Sequence, residues 1–328
     1  MKKTLWILID DRRGSVGQAQ GIAQAIGDKL NIIEKKITYN KLAALPNWMR
    51  GRSLLGINKK LSDNIIKDDY PDIVMSISRR TVPVARYIKK HSNKNTKIVQ
   101  LMYPDGGVGL CDMDMVVVPA HDELKKQQVK NAFVIFGAPT RITPEVLSQA
   151  KKQWEKTFSE LPRPYTAVIV GGAIKGKKWS LENAEALANN LKSIHEQIGG
   201  SILITTSRRT GEEAQNLIMN KIANIPAYTY IWGEKKDNPL MGFYACADLI
   251  VATADSVSMC SESCGTGVPV LLFKGKDWLT KKHLRFCESL INGKFAIDID
   301  AEGALNFKPS QTLNSASDIA KKILDLVK

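Results

Sequence analysis

The chain has 328 residues, with 47 lysines and arginines against 33 aspartates and glutamates, which gives a formal net charge of +14. Hydrophobic residues make up 44% and charged residues 24%, so the chain can build the cores of two ordinary domains. Five cysteines without a CxxC pair and four dispersed histidines exclude a disulfide framework and indicate no metal site. We expect buried, reduced thiols; the alternative is a metal site at Cys260 and Cys264.

The N-terminal residues 2–9 place two lysines before a short apolar run, as a signal peptide would, but Asp10 and Asp11 follow at once. A first buried strand is the better interpretation, and we expect a cytoplasmic protein. A basic chain suits nucleic acid, an anionic membrane or phosphorylated ligands. No nucleic-acid-binding motif is present. We therefore expect a peripheral protein at the inner membrane face; a generally basic proteome is the alternative explanation of the charge.

The first half of the chain alternates short apolar runs with helical periodicity. Predicted strands cover residues 5–9, 73–77, 97–102, 115–118 and 132–136, and predicted helices cover residues 18–30 and 82–90. Strands that alternate with helices are typical of βαβ units and a parallel sheet.

The second half repeats this rhythm. Predicted strands cover residues 166–170, 201–205, 227–231, 249–252 and 268–273, and predicted helices cover residues 181–195 and 212–223, with another beginning near Ser258. A proline-containing stretch at 138–164 separates the halves, which predicts domains at 1–150 and 151–328. We see no internal repeat. The predicted fold is α/β, with two Rossmann-like, doubly wound domains that face a cleft.

The strongest motif follows the predicted strand at 249–252, where Asp255 and Ser256 lead into a helix. Free amides and the positive end of the helix dipole suit a diphosphate. Ser256 and Ser258 add hydroxyl donors, and Glu262, one turn into the helix, is suited to accept hydrogen bonds from a ribose diol. The alternative is that Asp255 and Ser258 cap the helix and Glu262 completes a capping box. Candidate donor residues of the same turn also include Val257 and Met259.

Two more polar motifs follow strands of this half. Gly171 and Gly172 permit close approach of the backbone to a phosphate, with Lys175 as a cation; a plain tight turn is the alternative. Residues 206–209 suit phosphate recognition, and their members are Thr206, Ser207, Arg208 and Arg209. A solvated loop, with both arginines paired to Glu212 and Glu213, is the alternative. Because all three motifs follow strands of one sheet, we expect them to converge on one diphosphate.

Candidate catalytic groups lie in the first half. Asp10 and Asp11 follow the first strand, where they are suited either to act as a general base or to cap the next helix. No GxGxxG dinucleotide fingerprint is present there. His121, with Asp122, follows another strand and is a second candidate base; a structural His–Asp pair is the alternative.

Residues 41–60 contain five basic residues and no acidic ones, mixed with Leu45, Trp48, Met49, Leu54 and Leu55. This composition is typical of an interfacial segment that binds an anionic membrane. The alternative is a surface helix that packs its apolar face on the sheet.

Several blocks carry a family resemblance: Gly14-Ser15 with Gln18, Pro119 with His121-Asp122, Gly137-Ala138-Pro139, Gly171-Gly172 with Lys175 and Trp179, residues 206–210, Asn238-Pro239, and residues 255–259 with Ser261-Glu262. In these blocks, and over nearly its whole length, the chain resembles the bacterial proteins related to the plant "elongated mitochondria" fission factor. Members of that family are similar to GT-B glycosyltransferases.

The resemblance implies a GT-B fold in which Glu262 binds the donor ribose and Asn238 belongs to the donor site. Many relatives carry Gly-His where this chain has Gly14-Ser15, so Ser15 is a catalytic candidate that cannot act as a base unaided. Asp105 replaces a basic residue of many relatives and is another candidate base.

We therefore expect a glycosyltransferase that uses a nucleoside diphosphate sugar on a lipid-linked or envelope glycan. Neither metal nor cofactor is required, because amides, a helix dipole and arginines are suited to stabilise the leaving diphosphate. The alternatives are a nucleotide-sugar 2-epimerase and a non-catalytic, membrane-associated scaffold.

Overall fold

The computed structural model describes residues 2–10, 13–66, 69–104, 107–122 and 130–328, without the side chains of residues 13–15. The chain forms two compact units. Unit 1 comprises Met1–Arg141 with Asn314–Lys328, and unit 2 comprises Ile142–Leu313. The boundary thus lies at residue 141 instead of the expected 150, and the C-terminal segment belongs to unit 1 instead of the second half.

Unit 1 is built on a parallel six-stranded sheet in the order β2-β1-β3-β4-β5-β6. Its elements are β1 (Thr4–Ile9), α1 (Arg13–Ile26), β2 (Asn31–Lys36), α2 (Asn47–Arg50), β3 (Ile73–Ser76), α3 (Val82–His91), β4 (Lys97–Leu101), β5 (Met115–Pro119) and β6 (Ala132–Ile135). Both faces of the sheet are covered: Leu5 and Ile7 of β1 belong to one buried cluster, and Trp6 and Leu8 to another. This alternation is that of a doubly wound sheet.

Strand β2 escaped the sequence analysis because it contains Glu34, Lys35 and Lys36. It lies at the edge of the sheet and pairs only with β1 among the described strands. An edge strand tolerates charged side chains. Lys35 is nevertheless buried, with its ammonium 4.7 Å from the centroid of the Trp6 ring.

Unit 2 repeats the architecture with the strand order β12-β11-β10-β7-β8-β9, again all parallel. Its elements are α4 (Pro144–Phe158), β7 (Tyr165–Ile169), α5 (Leu181–Ile198), β8 (Ser201–Thr205), α6 (Glu212–Lys221), β9 (Ala227–Tyr230), α7 (Leu240–Cys246), β10 (Leu249–Thr253), α8 (Val257–Gly265), β11 (Val270–Phe273), α9 (Lys281–Asn292) and β12 (Ile297–Asp298).

Helix α4 occupies much of the stretch that the prolines marked as a domain boundary. Pro144 lies in its first turn, where the missing N–H costs nothing, and the Thr143 hydroxyl accepts a hydrogen bond from the amide of Val146. Ala150, Trp154 and Phe158 are buried at four-residue spacing, so the helix packs one face into unit 2.

The last helix, α10 (Ser315–Asp325), explains the return of the chain to unit 1. Its buried Ile319 and Ile323 belong to the same cluster as Ile22 and Ile26 of α1. A C-terminal helix with one apolar face must bury that face on a neighbour, and unit 1 supplies it. No helix in the described part of the chain is long and apolar enough to cross a bilayer.

Candidate functional site

The predicted donor motifs meet at the carboxyl edge of the sheet in unit 2. Strand β7 lies between β10 and β8, so the segments that follow these three strands are direct neighbours. Gly171 follows β7, Ser207 follows β8 and Asp255 follows β10. Hydrogen bonds connect all three segments.

The carboxylate of Asp255 is the centre of this network. It accepts hydrogen bonds from the amide of Gly172 at 3.0 Å and from the Thr253 hydroxyl at 2.7 Å. The guanidinium of Arg209 forms an ion pair with it at 2.6 Å. Because its side chain is fully buried, desolvation raises the pKa of Asp255, while the nearby Arg209 charge lowers it. Asp255 therefore holds the three segments together, and its contribution to a donor site stays a prediction.

The two glycines are required by this close approach. A Cβ on Gly171 would lie 2.5 Å from the Cγ of Asp255 and would overlap both carboxylate oxygens. A Cβ on Gly172 would overlap the backbone of Arg209. The double glycine is thus explained by packing between neighbouring strand ends, independently of any phosphate.

The loop after β8 contributes a second set of hydrogen bonds. The Ser207 hydroxyl donates to the carbonyl of Gly171 at 2.7 Å, and the Thr210 hydroxyl donates to the same oxygen. The Nη1 atom of Arg209 also donates to the carbonyl of Ala173 at 3.1 Å. Nη1 thus contacts both Asp255 and Ala173, and Nε and Nη2 of the guanidinium remain as further donors among the described residues. The alternative paired both arginines with Glu212 and Glu213. Arg209 instead pairs with Asp255.

The remaining polar candidates differ in accessibility. Arg208 and Lys175 are exposed to solvent beside this network. Thr206 is buried; its hydroxyl donates to Gln215 and accepts from the amide of Trp232, which ties the loops after β8 and β9 together. Asn238 is exposed and accepts from the amide of Leu240 at the start of α7.

Helix α8 begins beside Asp255, and its cap differs from both capping residues that we considered. Ser256 is the N-cap, and its hydroxyl accepts from the amide of Met259 at 3.4 Å. A capping box with Ser256 as the N-cap requires a glutamate or glutamine three residues later, and that position is occupied by Met259. Glu262 is therefore not part of a capping box. The helix start leaves the amides of Val257 and Ser258 without intrahelical carbonyl partners.

Glu262 is half-buried on α8 and lies beside the buried Tyr244 of α7. The Tyr244 hydroxyl approaches its Oε2 atom at 3.5 Å. Burial, followed by the negative charge of Glu262, raises the pKa of Tyr244 well above its usual value. The phenol is therefore a hydrogen-bond donor that helps to orient the Glu262 carboxylate.

Three residues near this network escaped the sequence analysis: Thr253, Trp232 and His283. Thr253 is the last residue of β10, and its hydroxyl also accepts from the amide of Gly171 at 2.7 Å. Trp232 follows β9 and is 56% exposed. The signal available in the sequence was a tryptophan directly after a predicted strand.

His283 lies in the first turn of α9, near enough to Asp255 for the carboxylate charge to oppose the lowering of its pKa by burial. Its Nδ1 atom is 2.7 Å from the hydroxyl of Thr280, the N-cap of the helix. Partial burial holds the pKa of His283 below its usual value, so the ring is neutral at pH 7.

The candidate bases of unit 1 are not brought together. Asp10 follows β1 and His121 follows β5, with β3 and β4 between these strands, which corresponds to about 14 Å at the usual strand spacing. Asp10 is buried and lies 3.6 Å from Arg80, and His121 is buried 4.0 Å from Asp122. Asp11, Asp105 and the side chain of Ser15 lie outside the described residues.

The segment 41–60 exposes some of its apolar side chains and packs others on unit 1: Ile57 belongs to a buried cluster, Leu54 packs against that cluster, and Leu45 is half-buried. Trp48 is 69% exposed, and Leu42, Met49 and Leu55 are exposed as well. Arg50, expected among the surface cations, is instead buried, and Arg52 is ion-paired with Asp112. The surface cations of this segment are therefore Lys41, Arg52, Lys59 and Lys60.

The thiols follow the expectation with one exception. Four cysteines are buried and reduced, but Cys111 is exposed. Burial raises the pKa of Cys287 to about 12, so this thiol is protonated and unreactive at neutral pH. Among the described residues, no three His, Cys, Asp or Glu side chains are grouped to hold a metal ion.

Each unit is a Rossmann-like domain with a parallel sheet, and two such domains define a GT-B-like fold. Known structures share this fold. UDP-GlcNAc 2-epimerase from Methanocaldococcus jannaschii superposes with a TM-score of 0.57 at 13% identity, over 98% of this chain and 99% of that one. MurG of Acinetobacter baumannii superposes with a TM-score of 0.51 at 13% identity, over 99% of each chain. The epimerase of Neisseria meningitidis bound to UDP-GlcNAc gives 0.53 at 11% identity, over 98% and 100%. These likenesses confirm the fold alone.

The chain belongs to the mitochondrial fission ELM1 family, whose model matches residues 13–327. It is 28% identical to the uncharacterized protein RP120 of Rickettsia prowazekii (strain Madrid E) over 361 aligned positions that cover 99% of both chains. It is 30% identical to mitochondrial fission protein ELM1 of Arabidopsis thaliana over 250 positions, which cover 70% of this chain and 57% of that protein. The family resemblance is thus confirmed.

Proposed function

We propose that unit 2 binds a nucleoside diphosphate sugar at the carboxyl edge of its sheet and that the protein transfers the sugar to a lipid-linked or envelope glycan. The observation that carries this proposal is the hydrogen-bonded network of Gly172, Arg209 and Asp255, which holds three strand ends beside the start of α8. In parallel α/β sheets, ligands bind at this edge. Solved structures in complex with UDP-GlcNAc and with UDP share the fold.

The diphosphate is proposed to lie against the first turn of α8. The amides of Val257 and Ser258 point out of the helix start, and the Ser258 hydroxyl is exposed beside them. Because Asp255 neutralises Arg209, most of the positive charge for the diphosphate must come from Arg208 and Lys175. Arg209 is left to contribute the hydrogen bonds of Nε and Nη2.

The nucleoside is proposed to extend from the diphosphate toward Glu262 and Trp232. Glu262 is half-buried one turn into α8, where its carboxylate would accept both hydroxyls of the ribose. The exposed Trp232 ring would stack on the base, because every nucleobase presents a π-face. The loop that carries Trp232 is held to Thr206 by a 3.1 Å hydrogen bond, so the ring is attached to the donor site.

Calorimetric titration with UDP, GDP, CMP and TDP sugars tests this assignment. Glu262→Ala should weaken nucleotide binding by about 1–3 kcal/mol, because a partly buried diol loses a charged acceptor. Glu213→Ala, which removes an exposed carboxylate from α6, is the matched control and should bind as the wild type does. Equal affinities for wild type and a folded Glu262→Ala variant would rule out the ribose role.

A nucleotide-binding protein without catalytic activity is the second candidate. The observation that favours it is that Asp10 and His121, the described candidate bases, are both buried and follow strands that two other strands separate. Turnover decides between the candidates. Nucleotide binding without release of nucleoside diphosphate would favour this second function, and conversion of the donor to its 2-epimer without an acceptor would identify an epimerase.

We further propose that residues 41–60 bind an anionic membrane and place the protein at its cytoplasmic face. The segment is held to the loop after β3 by the Arg79 guanidinium, which donates to the carbonyls of Ala43 and Leu45. It therefore presents Trp48 and Met49 to solvent on a defined scaffold, with Lys59 and Lys60 in the same segment. Aromatic and basic side chains in this combination favour a headgroup interface.

Sedimentation with vesicles of phosphatidylglycerol and phosphatidylcholine tests the membrane proposal. Trp48→Ser should weaken binding, and Lys59→Gln with Lys60→Gln should do so by about 1 kcal/mol per charge. Trp232→Ser is the matched control, because it removes an exposed tryptophan from unit 2. Equal sedimentation of the wild type and the Trp48→Ser variant would contradict the proposal.

A further inference from the structure

Unit 2 contains a cavity that lies away from the proposed donor site. The cavity has a volume of about 200 Å³ and is formed by the C-terminal half of α5, by β11 and by the segment that follows β12. Its wall is mostly polar. The polar side chains that line it are Asn190, Ser193, Gln197 and Asn306, and the apolar ones include Ile194, Leu271 and Leu305.

The direction of α5 separates this cavity from the donor site. The helix begins at Leu181, after the segment that follows β7 at the carboxyl edge of the sheet, and it runs back toward the amino edge, where β8 begins at Ser201. Asn190 and Gln197 follow Leu181 by nine and sixteen residues, which places them roughly 14 and 24 Å along the helix axis. A small ligand in the cavity therefore lies outside the donor site.

The carboxamides that line the cavity keep hydrogen-bonding groups for a ligand. The Nδ2 atom of Asn190 donates to Asp300 at 3.0 Å, and the Nε2 atom of Gln197 donates to the Ser193 hydroxyl at 3.1 Å. These bonds use one N–H of each carboxamide. Neither carboxamide oxygen has a partner among the described residues, and the same is true of the Asn306 side chain. The cavity thus offers both donors and acceptors.

The lining of the cavity favours an uncharged ligand. All of the lining residues are described, and none of them is charged. An anion would therefore find no cation in the wall. The carboxylate of Asp300 lies next to Asn190, but it accepts the hydrogen bond of that carboxamide and does not line the cavity. A charged group without a partner would lose its hydration there at a cost.

The size and the side chains of the cavity select among neutral ligands. A water molecule in the liquid occupies about 30 Å³, so the cavity has room for roughly six waters, which is about the size of one sugar ring. None of the described lining residues is aromatic, so a nucleobase would lack a stacking partner. Sugar hydroxyls both donate and accept, as carboxamides do, and Leu271 and Leu305 offer apolar contact to the C–H groups of a ring.

We propose that this cavity of unit 2 binds one uncharged sugar residue, with Asn190, Gln197 and Asn306 as its polar contacts. The site is independent of the proposed donor site, because it shares no residue with it. The sugar belongs either to a glycan or to a free monosaccharide, since both present the same ring hydroxyls.

NMR titration of the ¹⁵N-labelled full chain tests the site, with glucose, galactose, mannose and N-acetylglucosamine as probes. At least one sugar should shift the side-chain amide signals of Asn190, Gln197 and Asn306. UDP should leave these signals unchanged, so this proposal and the donor proposal can fail separately. Gln197→Ala should weaken binding of the responsive sugar about tenfold, because the sugar loses the hydrogen bonds of one carboxamide. Asn189→Ala is the matched control, because Asn189 is an exposed asparagine of α5 that does not line the cavity.

A second variant covers the case in which a carboxamide supports the fold. Ser193 is exposed on α5, so Ser193→Leu keeps a good helix former there and should abolish sugar binding by filling the cavity. Unchanged amide signals with all four sugars, or equal affinity of the wild type and Gln197→Ala, would overturn the proposal. Tighter binding of glucuronate than of glucose would also overturn it, because it would require a cation in the wall. A disaccharide that binds more tightly than its monosaccharide assigns a glycan, and equal binding assigns a free sugar.

Discussion

Substitution of Gly171 by alanine should destabilise unit 2 far more than an ordinary Gly→Ala change. The new Cβ would lie 2.5 Å from the Cγ of Asp255, whereas carbon atoms in contact are about 3.5–4.0 Å apart. The carboxylate must therefore retreat by about 1 Å. Its hydrogen bonds from Gly172 and Thr253 and its ion pair with Arg209, now 2.6–3.0 Å long, would be broken or severely stretched.

The magnitude follows from the burial of this network. Breaking a buried ion pair typically costs about 3–5 kcal/mol. Arg209 is 35% exposed, so water partly compensates it and the lower end of the range applies. We expect a loss of about 3 kcal/mol in the free energy of unfolding of unit 2, a large part of the 5–15 kcal/mol that is typical of a domain.

Urea unfolding followed by tryptophan fluorescence measures this loss, because Trp154, Trp179 and Trp278 are buried in unit 2. Gly176→Ala is the matched control: it lies in the same segment, no atom lies within 4 Å of its Cβ position, and φ of +79° limits its cost to backbone strain of about 1 kcal/mol. In an Asp255→Gly background, the Gly171→Ala change should cost much less. Equal losses for Gly171→Ala and Gly176→Ala, or an unchanged loss without Asp255, would refute the reasoning.

Three further predictions concern unit 2. Ser256→Ala should cost about 0.5–1 kcal/mol through loss of the α8 cap, as urea unfolding would show; an unchanged midpoint would contradict it. Gly242→Ala should cost more than about 2 kcal/mol, because its Cβ would lie 2.6 Å from that of Trp154. An unchanged melting temperature of the Gly242→Ala variant in calorimetry would contradict this prediction. The lowered pKa of His283 means that the unfolded chain binds more protons below about pH 6.5. Stability should therefore fall as the pH drops below 6.5, and His283→Gln should flatten that slope between pH 7 and 5; equal slopes would contradict the assignment.

Most helices and strands of the described residues could be predicted from the sequence, because hydrophobic periodicity indicates which faces of each segment are buried. The predicted strand at residues 201–205 coincides with β8, and that at 115–118 lies within β5. Elements with weak or misleading local patterns were missed. Strand β2 carries charges at a sheet edge, and α4 begins with a proline in a stretch that suggested a linker. Their positions depend on neighbours that are distant in the chain.

By itself, the sequence determined that polar motifs follow strands of a parallel sheet, and hence that Gly171, Ser207 and Asp255 share one edge. Only the tertiary structure decided which of these groups contact one another. The strand order places β7 between β10 and β8, so Asp255 is buried by Gly171 and paired with Arg209. Arg50 is a second example: the composition of its segment suggested a surface cation, whereas in the fold it is buried and donates to the carbonyl of Arg80. Local sequence patterns indicate the secondary structure of a segment and its apolar face. Charge pairing and the burial of polar side chains depend on which distant segments become neighbours.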